Sequence, residues 1–463
     1  MNIDISQFKE KIADLMSEWI VPGISIGIID AYGNSQTISL GKRDIENNKD
    51  FSEDTVVPIG CCTKAFTSLA FGILADKKLI SLDDPIKNYL NDFLLSSRLL
   101  TENVTITDIL CMRTGLHMDE IIYKNSSYSC NDVLDKLKFL NPHTGFREYF
   151  VYDVFLYNFL KMIIINVVNV SWEDFILNEI TNPLGIKNIQ FASDYINNNN
   201  YAKGYFQKNE SLLENEKTYN IGSMMPSAGI NISINEILKW MEFLLCGGRC
   251  NNVQLITNAS LNNILRPYAF SKAKPAYSEL FYQSYALGWF NEPYKGNNLF
   301  YHEGNIRGYS CLVSILPDAK IGISVFINKD KCPLTRVILY YLMDNIFVSE
   351  QTDWSKRFKR EAIIKRSWLS NCINHIDALE KVPNVNEEHF SNKVYGVLKI
   401  FRSEQSDLFI KVLNTEYSFY SILDEWYVFH NNHDFLLFRY KTVGTAIYVK
   451  FAIYSEEIEF IKI

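Results

Sequence analysis

The chain has 463 residues, which at roughly 150 residues per domain suggests two or three domains. Its hydrophobic share of 47% and charged share of 21% are those of an ordinary globular protein with ample core material. A formal charge of −7, with one short basic cluster between Lys356 and Arg366, argues against nucleic acid or an anionic membrane as the main partner.

The nine cysteines are odd in number and irregularly spaced, which does not suggest a disulfide framework. Cys246 and Cys250 flank "GGR" without a second Cys/His pair at zinc spacing, so no metal and no cofactor is expected. The N-terminal "MNIDISQFKEKIADLMSEW" reads as an amphipathic helix. It lacks the basic start and apolar run of a signal peptide, so the expectation is a cytoplasmic protein with reduced thiols.

Next, "GISIGIIDAYGNSQTISLGKRD" is a hairpin signal around "AYGN". The stretch "VPIGCCTKAFTSLAFGILADKKL" predicts a helix from residue 61 to about 76, entered through two adjacent cysteines. "TITDILCMRTGL" is a short helix capped by Thr105 or Thr107. Residues 120–270 read as mostly helical. There "FLYNFLKMIIINVVNV" is too short and too polar for a membrane span and reads as buried. Ser171 caps "SWEDFILNEITNPLGI", and "SINEILKWMEFLLCGG" forms another helix.

From Tyr285 the pattern returns to strands, "YALGWF" and then a hairpin turning at "PDAK", followed by the helix "TRVILYYLMDNIF". Strands at both ends of a helical middle imply an α+β fold whose sheet unites distant parts of the chain. Beyond Val394 short segments alternate at period two, which suggests a small all-β barrel or sandwich. The expected organisation is an α+β domain at 1–350, a helical linker at 351–390 and a small β-barrel domain at 391–463.

The chemistry concentrates at "IGCCTK". Cys61 at a helix N-terminus meets unpaired N–H groups and a partial positive charge, with Lys64 one turn on. A nucleophile with a lysine three residues later is the logic of a Ser-x-x-Lys site. Cys62 reads as packing. Asp83 and Asp84 read as a helix stop, and Trp240 and Trp289 as core.

The chain resembles the serine β-lactamase and penicillin-recognising enzymes, especially their class C β-lactamase, esterase and D-amino-peptidase branch. Over roughly residues 15–345 the resemblance rests on "IGCCTKAFTSLAFGILADKKLISLDDPIKNYL", "TITDILCMRTGL", "NPLGI", "PSAGINISINEILKW", "YALGWF" and "YHEGNIRGYSC". It implies a β-lactamase/transpeptidase-like domain, an antiparallel sheet flanked by helices with a helical subdomain. The resemblance makes 1–350 the catalytic domain and 391–463 a lipocalin-like accessory domain. Cys61 stands where that family has its nucleophilic serine, and Lys64 matches the motif lysine.

The Tyr-x-Asn motif aligns with Tyr152, Asp153 and Val154, so Val154 lacks the family's amide; Tyr149 or Tyr157 would be the tyrosine in another register. The third motif appears as His302-Glu303-Gly304. The resemblance gives Cys61, Lys64, Tyr152 and His302 as catalytic residues. It places the backbone N–H groups of Cys61 and Asn305 in an oxyanion hole, and Glu303 and Gly304 at the substrate, with Glu303 either a pocket acid or a solvated strand residue. The implied reaction is acyl transfer or hydrolysis through a thioester, on a small-molecule or carrier-bound acyl substrate. The alternative is a catalytically inactive β-lactamase-like binding protein, for which Cys61 would be a relic.

Overall fold

The computed structural model describes residues 4–118, 129–192, 194–208, 211–214, 224–250, 253–373, 387–402, 408–412, 415–423, 426–430, 435–442, 446–450 and 458–462. The chain forms two compact units. The first comprises Met1–Phe93, Arg98–Leu116 and Pro142–Ser355; the second comprises Leu94–Ser97, His117–Asn141 and Lys356–Ile463.

The first unit is built on a nine-stranded antiparallel sheet. In chain order its strands are β1 (Gly23–Asp30), β2 (Ser35–Asp44), β3 (Lys49–Asp50), β4 (Ala269–Phe270), β5 (Ser284–Tyr285), β6 (Phe290–Asn291), β7 (Phe300–Ile306), β8 (Tyr309–Leu316) and β9 (Ile321–Ile327). Their spatial order is β4-β5-β6-β7-β8-β9-β1-β2-β3, so β1 pairs with β9 from the far end of the unit. The expected union of both chain ends in one sheet is what forms. The hairpins at "AYGN" and "PDAK" are β1–β2 and β8–β9. "YALGWF" splits into β5 and β6, because Gly288 turns the chain at φ +75° and brings it against Lys64 and Ser68 of the helix Thr63–Asp76.

Five helices matter for the site: α1 (Lys9–Glu18), α2 (Thr63–Asp76), α3 (Phe155–Val168), α4 (Ile234–Leu245) and α5 (Leu334–Ile346). All eight residues of β1 are buried, as expected of a strand covered on both faces. Gly27 and Gly322 let α4 approach the sheet closely through Ile234, Leu238 and Met241. Helix α5 packs against β8 and β9, with α1 beside it.

Helix α2 is enclosed: every residue from Thr63 to Leu74 is buried. Phe66 stacks on Trp240 at 4.0 Å, and Trp240 on Trp289 at 5.7 Å, which pins α2 between α4 and the β5–β6 turn. Such ring pairs add about 1 kcal/mol each beyond their burial. Helix α3 is apolar and largely buried, as its composition implies, and ends at Asn169 in the left-handed conformation. Among the described residues no single helix is long and apolar enough to cross a membrane.

In the second unit, eight strands from Glu387–Asn392 to Ile458–Lys462 form a closed antiparallel barrel, the first pairing with the last. "EEHFSN" is the barrel strand that the period-two reading beyond Val394 misses, since its alternation is weak. Among the described side chains Leu398, Ile400, Ile410, Val412, Ile447, Val449 and Phe460 are fully buried, as expected of apolar residues facing a barrel interior.

Candidate active site

Cys61 lies in a single 3-10 turn, Gly60–Cys62, that leads into α2 at Thr63. The turn opens with Gly60 at φ +53°, a conformation that glycine adopts without strain. Cys61 is half-buried and its thiol is free, whereas Cys62 is buried. Burial pushes the Cys62 thiol well up, and its Sγ donates to the carbonyl of His302 at 3.1 Å. Cys62 therefore tacks the turn to β7 and is not a candidate nucleophile.

β7 meets the Cys61 turn through two glycines. A Cβ on Gly304 would strike the Ile59 carbonyl oxygen, lie 2.8 Å from the Ile59 carbonyl carbon and 3.2 Å from the Cys61 amide nitrogen. A Cβ on Gly60 would lie 3.4 Å from the Asn305 nitrogen. The backbones of residues 60–61 and 304–305 are thus in contact, and the amides of Cys61 and Asn305 are close neighbours.

Lys64 is completely buried. Its Nζ donates to the Ser227 carbonyl at 3.0 Å and lies 5.2 Å from the centroid of the Tyr152 ring. Tyr152 precedes α3 and is half-buried, while Asp153 accepts from the N–H groups of Phe155 and Leu156 and fixes the start of that helix. Of the two alternative tyrosines, Tyr157 also faces the lysine, its ring centroid 5.7 Å from Lys64 Nζ. Tyr157 is buried and donates to the Leu110 carbonyl at 2.7 Å; Tyr149 packs under Lys272.

His302 is buried with both ring nitrogens engaged. Nδ1 faces the Glu303 carbonyl at 2.7 Å, which makes it the protonated nitrogen, so Nε2 accepts from the Tyr285 hydroxyl at 3.0 Å. Burial, reinforced by the neighbouring Lys64 charge, pushes His302 down to about 3. The ring is neutral near neutral pH and is held as a bracket for Tyr285. Around it Phe150, Tyr152, Tyr285 and Phe290 form a wall of contacting rings.

Glu303 is expected either as a pocket acid or as a solvated strand residue, and successive residues on a strand face opposite sides. With Gly304 turned to the Cys61 loop, Glu303 turns to α5, where Thr335 Oγ1 is 3.5 Å away and Arg336 and Glu292 are its charged neighbours. Burial raises its carboxyl. Ser227, Asn158 and Tyr285 are buried at the site. Ser227 and Tyr285 fall within the family-like segments "PSAGINISINEILKW" and "YALGWF" without being singled out there, and Asn158 carries no signal, since what matters is what long-range packing sets beside them. Among the described residues no group of three His, Cys, Asp or Glu is placed to hold a metal ion.

Comparison with known proteins fits this geometry. The family model described as Beta-lactamase matches residues 8–345. Protein flp of Staphylococcus aureus (strain MW2) is 25% identical over 311 residues, 66% of this chain and 60% of that protein. The chain thus spans about 60% of the length of that curated relative. The unguisins hydrolase ungD' of Aspergillus campestris is 23% identical over 385 residues, 76% of this chain and 68% of its own. The octameric penicillin-binding protein homologue from Pyrococcus abyssi superposes with a TM-score of 0.66 at 20% identity, covering 99% of this chain and all of that one. The chain belongs to the β-lactamase family.

Proposed function

We propose that this chain is a cysteine-nucleophile acyl-transfer enzyme, an acyltransferase or an amidase or esterase, acting on a small or carrier-bound acyl or peptidyl substrate. The observation that carries the reading is the backbone contact between residues 60–61 and 304–305, with a buried lysine one turn beyond the half-exposed thiol. Two N–H groups converging beside a nucleophile can hold the oxygen of a tetrahedral intermediate, and neither depends on the nucleophile being serine.

In this mechanism the Cys61 sulfur attacks the carbonyl carbon and the thiol proton passes to the Lys64–Tyr152 pair. As the tetrahedral intermediate collapses, the bond to the leaving nitrogen or oxygen breaks and that atom takes the proton. The remaining thioester is resolved by water, giving a carboxylate, or by an amine, giving an amide. His302, neutral with its one proton held on Nδ1 by the Glu303 carbonyl, relays no proton in this mechanism; it steadies Tyr285 and, through the chain, Gly304.

The test is intact-mass analysis after incubation with p-nitrophenyl acetate. One acetyl group is expected on the native protein and none on Cys61→Ala. Absence of the adduct, or its persistence in Cys61→Ala, would leave the binding-protein reading in its place.

A further inference from the structure

Lys64 is held by a buried polar chain that no sequence motif announces. Its Nζ donates to the carbonyl of Ser227 at 3.0 Å. Ser227 lies in the short helix Met225–Ala228, which is tied to α2 through the Thr67 hydroxyl, 2.6 Å from the Pro226 carbonyl. The Ser227 hydroxyl lies 3.2 Å from the Asn158 Oδ1 and 3.0 Å from the Met224 carbonyl. Ser227 is fully buried and Asn158 is 2% exposed, yet the Asn158 Nδ2 has no hydrogen-bond partner.

One hydroxyl proton cannot serve two acceptors, and a buried amide N–H left unpaired is costly. Turning the Asn158 amide lets Nδ2 donate to the Ser227 Oγ while that hydroxyl donates to Met224, and the atom left without a partner becomes a carbonyl oxygen instead of an N–H. The chain Asn158 to Ser227 to Met224 is then continuous. The carbonyl that receives the Lys64 amine is fixed at both ends of its residue.

We propose that Asn158 is a positioning residue for Lys64, acting through Ser227. It lies on α3, one turn beyond Val154 and therefore on the same side of the helix, so the helix that follows Tyr152 also governs where Lys64 sits. The inference rests on the reading of Lys64 as the proton carrier of the proposed reaction.

The experiment compares the native protein with Asn158→Leu and Ser227→Ala by pulse acetylation of lysines with acetic anhydride. Lys329, buried elsewhere in the same unit and bonded to Gln207, is the internal reference. Release of Lys64 raises the Lys64-to-Lys329 labelling ratio roughly ten-fold, the scale of one lost hydrogen bond to a charged group. The acylation rate constant at saturating p-nitrophenyl acetate falls by a similar factor, with half-saturation within two-fold. An unchanged ratio, or equal rises at both lysines, overturns the inference. If Asn158→Leu does not fold, the smaller change Ser227→Ala decides it. If the native protein forms no adduct, the proposed function fails while the labelling ratio still decides the positioning role.

Discussion

Gly304→Ala is the sharpest test of the proposed anion site. The added methyl would be 2.8 Å from the Ile59 carbonyl carbon, about 0.7 Å inside the closest comfortable carbon–carbon approach. Both neighbours are backbone, so relief requires β7 and the Cys61 turn to separate. Overpacking of this kind costs about 1–3 kcal/mol of stability. The effect on rate is larger, because losing one oxyanion donor lowers turnover by roughly 100- to 1,000-fold, and a separation here moves two. The assay is the burst of p-nitrophenolate, with thermal unfolding by circular dichroism beside it. Gly185→Ala is the control: at φ +67° with no atom within 4 Å, it adds about 1–2 kcal/mol of backbone strain without touching the site. The expected pattern is two destabilised proteins of which Gly304→Ala alone loses the burst. A folded Gly304→Ala protein that acylates within two-fold of native would refute the two-amide site.

Stability should fall in acid through His302. The folded ring is neutral down to about 3, whereas the unfolded chain takes up a proton near 6.5, so the unfolded state binds more protons across that window. The stabilisation is complete above pH 6.5 and about 2 kcal/mol of it is lost between pH 8 and pH 5. Urea unfolding of the native protein and His302→Gln at the two pH values checks this, and equal losses would count against it. Tyr152→Phe should slow acylation roughly 100-fold or more. Tyr157→Phe, which leaves the Leu110 carbonyl with the Gly288 N–H as its remaining donor, should cost about 1 kcal/mol and keep the rate within about three-fold. Asp108 is buried between Arg113 and Arg147 and also caps through Thr105, so Asp108→Asn should cost about 3 kcal/mol in thermal or urea unfolding.

Much of this molecule is legible in one dimension. Hairpins, capped helices and period-two strands follow local rules, because turn residues, side-chain caps and alternation act over a few positions: Thr105 and Ser171 cap as their sequences imply. Spacing likewise singles out Cys61 and Lys64, and the family resemblance adds Tyr152, His302 and Gly304. Tertiary structure decides what surrounds each. Alternation along β7 turns Glu303 away to α5 once Gly304 is pressed on Ile59, and which face is which depends on that partner far upstream in the chain. Burial beside Lys64 makes His302 a neutral bracket, a property of its surroundings that no motif encodes. Asn158 and Ser227 are unremarkable letters in an apolar helix and in a single helical turn, Met225–Ala228. Packing alone sets them at the Lys64 amine, because a buried amine must find an acceptor wherever the fold supplies one.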